Sequence, residues 1–198
     1  MQILERYLLP EDGPPTSRKV FVLHGLGGMG KTRLAVEFAK RHQNVFDSVF
    51  FLNGKTLSTL AQSFARLLKQ VTKAPHCSST GANERTVKPK EIVERAKEWF
   101  CLEGNVKWLI IFDNVDMEAS ERKSGGYKVQ EYFPSLSRGS VLITTRLAEL
   151  AYLGDDQKIT KMNPLQSAQL FFNTLGLSWK YHGQETLAET RSPETEGS

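Results

Sequence analysis

Cysteine is scarce in this chain: 198 residues contain only Cys77 and Cys101. There is no Cys-x-x-Cys spacing and no cluster of cysteine with histidine, so neither a disulfide framework nor a zinc site is expected, and a reducing compartment fits. Long hydrophobic runs are missing too. No stretch approaches the roughly 18 apolar residues that a membrane-spanning helix needs, and acidic Glu5 interrupts the apolar residues near the N-terminus where a secretory leader would need an unbroken core. An intracellular, cytoplasmic, soluble protein without a membrane partner is the expectation. Charge of one sign is not concentrated anywhere: 26 basic against 22 acidic residues give a net charge of +4. The basic residues are scattered, which describes a solvated surface and not a nucleic-acid-binding arm, so no nucleic-acid partner is expected. No internal repeat is visible. Hydrophobic residues make up 39% of the chain, enough for one ordinary core.

What the chain does have is Gly25-Leu26-Gly27-Gly28-Met29-Gly30-Lys31-Thr32, directly after the apolar run Val20 to Leu23. This fills the phosphate-binding pattern G-x-x-x-x-G-K-[ST]. Glycines let a backbone curl around an anion with its N–H groups pointing inward, and a following helix adds the positive end of its dipole. Lys31 then reaches the outer phosphates, and the Thr32 hydroxyl is placed to ligate magnesium. The context agrees, because Leu34, Ala35, Phe38 and Ala39 share one helical face while Arg33, Glu37, Lys40 and Arg41 share the other.

Strand and helix signals alternate along the rest. A Pro-rich loop covers residues 10–19, and a strand is expected over Val20 to His24. Ser48 to Leu52 is a short continuous apolar run of the kind found in parallel strands buried on both faces. Leu57, Leu60, Ala61, Phe64, Leu67, Leu68 and Val71 recur at helical spacing, as do Ile92, Val93, Ala96, Trp99 and Phe100. Between these helices, residues 72–90 read as a mobile polar loop, and a second such segment covers about 117–128. Val106 to Phe112 and Gly139 to Thr145 are buried strands, Leu147 to Leu153 a short helix, and Lys158 to Thr160 an edge strand. Asn163 as N-cap with Pro164 and Gln166 opens a last helix, closed by Gly176. The domain division expected is a lead-in segment over 1–17, a nucleotide-binding domain over 18–176 and a disordered tail over 177–198.

Alternating strands and helices predict an α/β fold with a parallel sheet covered on both faces, and ligands of such sheets bind at the carboxyl ends of the strands. Three chemically suggestive clusters fall there: the glycine loop, Asp113-Asn114-Val115-Asp116, and Arg146. Asp113 has the place of a Walker-B carboxylate holding magnesium against phosphates, against the alternative of an aspartate that merely starts a turn. Where an efficient hydrolase would put a water-activating carboxylate the chain has Asn114, which accepts no proton, so slow or partner-dependent hydrolysis is expected. Arg146, after Thr144 and Thr145, is placed to sense a γ-phosphate, its alternative being a surface arginine at a strand end. His24, Trp99 and Trp108 are assigned to packing.

In this order, VFVLHGLGGMGKTRLAVEFAK, KWLIIFDNVD, YFPSLSRGSVLITTR and MNPLQSAQLFF resemble the NB-ARC domain of STAND-class switch NTPases, in the form found in fungal NOD-like receptor proteins. The resemblance covers about residues 18–175. It implies a P-loop NTPase fold, a three-layer αβα sandwich with a mostly parallel sheet in strand order 5-1-4-3-2. It also implies ADP in a closed state and ATP in an open, oligomerising one, in a signalling or innate-immunity-like setting with protein partners. Carried over by position, Gly25, Gly27, Gly28, Met29, Gly30, Lys31, Thr32 and Arg33 bind the nucleotide, Thr32 and Asp113 the Mg2+, and Lys31, Asp113 and Arg146 form the catalytic set. The family's GLPL-bearing helical subdomain, its MHD histidine and a clear upstream G-R-E segment are not found, which suggests a truncated product or a fragment. Two other readings stand beside the switch module: a P-loop small-molecule or nucleoside kinase, and a non-hydrolysing pseudo-NTPase fragment acting through protein contacts.

Overall fold

The computed structural model describes residues 1–10, 17–72, 88–116, 126–136, 138–163 and 165–167. Cys77, most of the loops expected over 72–90 and 117–128, and everything after Ser167 lie outside the described residues. The chain divides into two units, Met1–Thr160 and Lys161–Ser198.

The first unit is built on five parallel strands: β1 (Lys19–His24), β2 (Ser48–Asn53), β3 (Trp108–Asp113), β4 (Ser140–Thr145) and β5 (Asp155–Lys158). Their order is β2-β3-β4-β1-β5, every neighbouring pair being parallel. This is the order the family resemblance implies. Side chains alternate across the central strands, as strand geometry requires. Phe21, Leu23, Leu109, Ile111 and Leu142 meet helices α1 (Gln2–Leu8) and α2 (Lys31–Arg41) on one side. Val22, Ile110, Phe112, Val141 and Ile143 meet α3 (Leu57–Thr72) and α4 (Pro89–Phe100) on the other. The result is three layers with two separate cores, and β3 and β4 in the middle read as unbroken apolar runs because both faces are covered.

Three elements and one side chain depart from the sequence reading. Helix α1 falls within the segment read as a lead-in; it buries Leu4 and Leu8, packs the Tyr7 ring tilted against Phe21 with centroids 5.6 Å apart, and has its end pinned where Ser140 Oγ donates to Leu8 O at 2.6 Å. At seven residues it is too short to hold itself, so docking makes the helix, and local pattern does not announce it. Strand β2 is not buried on both faces: Phe50 and Leu52 pack inward, while Val49 and Phe51 are 36% and 44% exposed. It is an edge strand with one neighbour, and its apolar sequence does not say so. Strand β5 begins three residues before the position expected, and its polar sequence, Asp-Asp-Gln-Lys, pairs in parallel with β1 along the backbone. Tyr127, inside the polar segment 117–128, is buried and donates its hydroxyl to Gly54 O.

Trp108 is a core residue as expected, and Trp99 packs half-buried against the same core. Trp108 is 1% exposed and touches Phe100 at 5.0 Å, and its ring occupies the space a Cβ at Gly139 would take, 2.3 Å away. In the second unit the expected capping arrangement is present: Asn163 Oδ1 accepts from Gln166 N at 2.8 Å, and Gln166 Oε1 accepts from Asn163 N at 3.0 Å.

Candidate functional site

Strand β1 delivers the chain into the glycine loop at Gly25. Gly25, Gly28 and Gly30 have φ of 142°, 77° and 85°, in the region that residues with a Cβ avoid. Gly30 caps α2 with no side-chain hydrogen bond, so the first-turn N–H groups are left for an anion. Lys31, the first residue of α2, is only 8% exposed, and its Nζ donates to Gly25 O at 2.7 Å and Leu26 O at 2.8 Å. Burial pulls its pKa below the ordinary lysine value; the charge of Arg146 pulls the same way, while Asp116 and Asp113 oppose it.

Asp113, the last residue of β3, ties three elements together on one oxygen. Thr32 Oγ1 donates to Asp113 Oδ1 at 2.8 Å, and Thr144 Oγ1 donates to the same atom at 2.6 Å. Thr144 Oγ1 in turn accepts from Asn114 N at 2.9 Å. Asn114 sits at φ 63°, a left-handed conformation that asparagine tolerates better than most residues. That bend carries the chain across to the end of β4. There Val115 N donates to Thr144 O at 2.9 Å, and Thr145 Oγ1 donates to Val115 O at 2.5 Å. Asp116 then takes two bonds from one residue: Arg146 N to Oδ1 at 2.7 Å and Arg146 Nε to Oδ2 at 2.9 Å. The Arg146 guanidinium lies over the glycine loop, its Cζ 3.7 Å from where a Cβ on Gly27 would be.

These groups surround an open cleft of about 530 Å³, within the size range of small-molecule sites. Gly27, Gly28, Met29, Gly30, Lys31, Thr32, Arg33 and Arg146 all line it, as does Asn114. Gly25 stands at the base of the loop, where a Cβ would meet Ile159 O, and Asp113 reaches the cleft through Thr32. The structure thus gathers every sequence-predicted site residue at one end of the sheet. The sequence reading assigned no role to Thr144, Asp116 or Val36, the first and last of which line the cleft. A signal for Thr144 existed: two threonines and an arginine closing an otherwise apolar strand. His24 is a packing residue whose Nε2 meets Asp156 Oδ2 on β5 at 2.9 Å.

Among the described residues no group of three or more His, Cys, Asp or Glu gathers to hold a metal. The hard oxygen pair Thr32 Oγ1 and Asp113 Oδ1, 2.8 Å apart beside the cleft, suits Mg2+ instead, an ion that is usually held by one or two carboxylates, waters and substrate phosphates.

The sequence model of the NB-ARC domain matches residues 4–174. The chain belongs to the NB-ARC family. It is 29% identical over 174 residues to a nucleotide-binding leucine-rich repeat (NLR)-like protein of Hyaloscypha variabilis. The match takes in 82% of this chain and 17% of that protein, so this chain spans about a sixth of its relative. Among solved structures it is similar to Cdc6p from Pyrobaculum aerophilum (TM-score 0.55, 12% identity, 87% of this chain and 46% of that one). It is also similar to Drosophila ORC bound to DNA (TM-score 0.53, 16% identity, 88% of this chain and 45% of that one). At such identities these two likenesses speak for the fold, which is that of P-loop NTPases. Among the described residues of this NB-ARC domain no helix is long and apolar enough to cross a membrane.

Proposed function

We propose that this NB-ARC domain binds ADP and ATP together with Mg2+ and serves as the switch module of a cytoplasmic signalling protein, hydrolysing ATP slowly or only with a protein partner. The observation that carries this reading is the convergence of Lys31, the Thr32–Asp113 pair and Arg146 from three separate elements onto one cleft beside the glycine loop. In this reading the loop amides and the N-terminus of α2 receive the phosphates, and the Lys31 ammonium exchanges the carbonyls of Gly25 and Leu26 for phosphate oxygens. Thr32 and Asp113 would hold Mg2+, which supplies neutralising charge to the phosphates. The outer N–H groups of Arg146 meet the γ-phosphate, which ADP lacks. Asn114 lines the cleft where a base would stand, and it takes no proton from water. A catalytic set of Lys31, Asp113 and Arg146 therefore favours holding a nucleotide over turning it over.

Calorimetric titration with ADP and ATP, with and without Mg2+, tests the reading. Saturable binding of both nucleotides, tightened by Mg2+ for ATP, is expected; no binding of either would refute it, and phosphate transfer to a small acceptor would support a kinase instead.

Asn114 itself supports a second reading, a binding-only module that acts through protein contacts. Asn114→Asp separates the two. Aspartate also tolerates the left-handed φ, so the turn onto β4 survives. If a missing base limits the rate, phosphate release should rise about tenfold or more, since general bases contribute roughly 10²- to 10⁴-fold. An unchanged rate would leave the binding-only reading standing.

A further inference from the structure

We infer that Asp116 is the positioning residue of Arg146, and that it thereby sets the preference of the site for a nucleoside triphosphate over a diphosphate; this rests on the nucleotide reading above. The carboxylate grips Arg146 at two points, the backbone N–H at 2.7 Å and the side-chain Nε at 2.9 Å. Holding Nε fixes both the direction of the side chain and the plane of the guanidinium. It engages one of the five guanidinium N–H groups and leaves the four on the two Nη atoms for an anion. Nη1 already lies 3.9 Å from where a Cβ on Gly27 would be, over the loop.

The grip is itself anchored. Asp116 follows Val115, which is 1% exposed and is fastened to β4 through its own N–H and carbonyl. The left-handed turn at Asn114 is what aims this short segment at β4. The Arg146 side chain is 61% exposed, against 18% for Asp116. An exposed arginine without such an anchor would spread over many rotamers, at an entropic cost when a ligand orders it. Asp116 removes that freedom before the nucleotide arrives, so more of the contact energy with a γ-phosphate appears as affinity. ADP presents no phosphate there, which makes the ratio of ATP to ADP affinity the quantity that Asp116 controls.

The bland reading of the pair is a surface ion pair worth little in binding or stability. A double-mutant cycle distinguishes them, with calorimetric affinities for ATP and ADP measured on wild type, Asp116→Asn, Arg146→Ala and the double variant. Asp116→Asn is expected to lower the ATP-to-ADP affinity ratio about tenfold, the scale of a lost charge-assisted hydrogen bond. In the Arg146→Ala background the same change should leave the ratio where it was. Asp116→Ser, measured the same way, serves if the amide variant does not fold. A ratio that is unchanged or raised in Asp116→Asn, or that falls equally with and without Arg146, overturns the inference. ADP binding that is lost in Lys31→Ala would keep the nucleotide reading intact in those cases, whereas a wild-type chain that binds no ADP overturns both.

Discussion

Lys31→Ala is expected to weaken both ADP and ATP by about 100-fold or more, on the order of 3 kcal/mol. Lys31 is the one cation that starts α2, is 8% exposed and already spends its hydrogen bonds on the loop carbonyls of Gly25 and Leu26. Phosphate oxygens are stronger acceptors than those carbonyls, and the burial that lowers the lysine's pKa is offset by the attraction of an arriving anion. The effect is readable without a direct titration. At 100 times the wild-type Kd, ADP should raise the unfolding free energy of the wild type by about 2.7 kcal/mol, and that of the variant by only about 0.4 kcal/mol. Lys31→Arg is expected not to restore binding, because a planar guanidinium does not reproduce the compact ammonium held between two carbonyls. Equal ligand stabilisation of wild type and Lys31→Ala would remove the phosphate site from the account.

A second large effect is expected at the start of the loop. Gly25→Ala places a Cβ 2.4 Å from Ile159 O and 3.3 Å from Ile159 C, at a φ of 142°. Neither neighbour is a flexible side-chain end: Ile159 is held to β1 by its own N–H, which donates to His24 O at 2.7 Å. The backbone after β5, or the loop itself, must therefore move. Strain and overpacking together should cost about 3 kcal/mol in a urea titration with an unchanged slope. Nucleotide affinity should fall with it, since the Gly25 carbonyl is one of the two groups that hold Lys31 in place. Gly104→Ala supplies the control. Gly104 also has a positive φ, of 94°, but has nothing within 4 Å of the would-be Cβ, so only about 1 kcal/mol is expected there. Equal losses at the two positions would mean that contact with Ile159 contributes nothing.

Much of the candidate site is legible in the sequence, and the reason is locality. The glycine loop, Lys31 and Thr32 are contiguous, and the pattern fixes their relative places through φ angles and the start of one helix. Asp113 and Arg146 were legible because each closes an apolar run, and parallel sheets put such ends on the same side. In the sequence Asn114 stands out only as a residue that accepts no proton, and the structure makes it the left-handed residue that steers Val115 and Asp116 onto β4. Asp116 had no legible role, since its partner lies 30 positions away and nothing local marks the pair.

The sequence by itself determined the α/β class, the central strands and the glycine loop, because apolar periodicity and glycine conformation are properties of neighbouring residues. Tertiary structure alone decided that β2 stands at an edge with Phe51 exposed, that polar Asp155–Lys158 completes the sheet, and that α1 forms at all. Strand pairing runs through backbone groups that every residue carries, and a seven-residue helix exists only where a partner surface covers it. The same holds for the Thr32–Asp113–Thr144 junction and the Asp116 grip on Arg146: each is a contact between residues far apart in the chain, which only the fold brings within hydrogen-bonding distance.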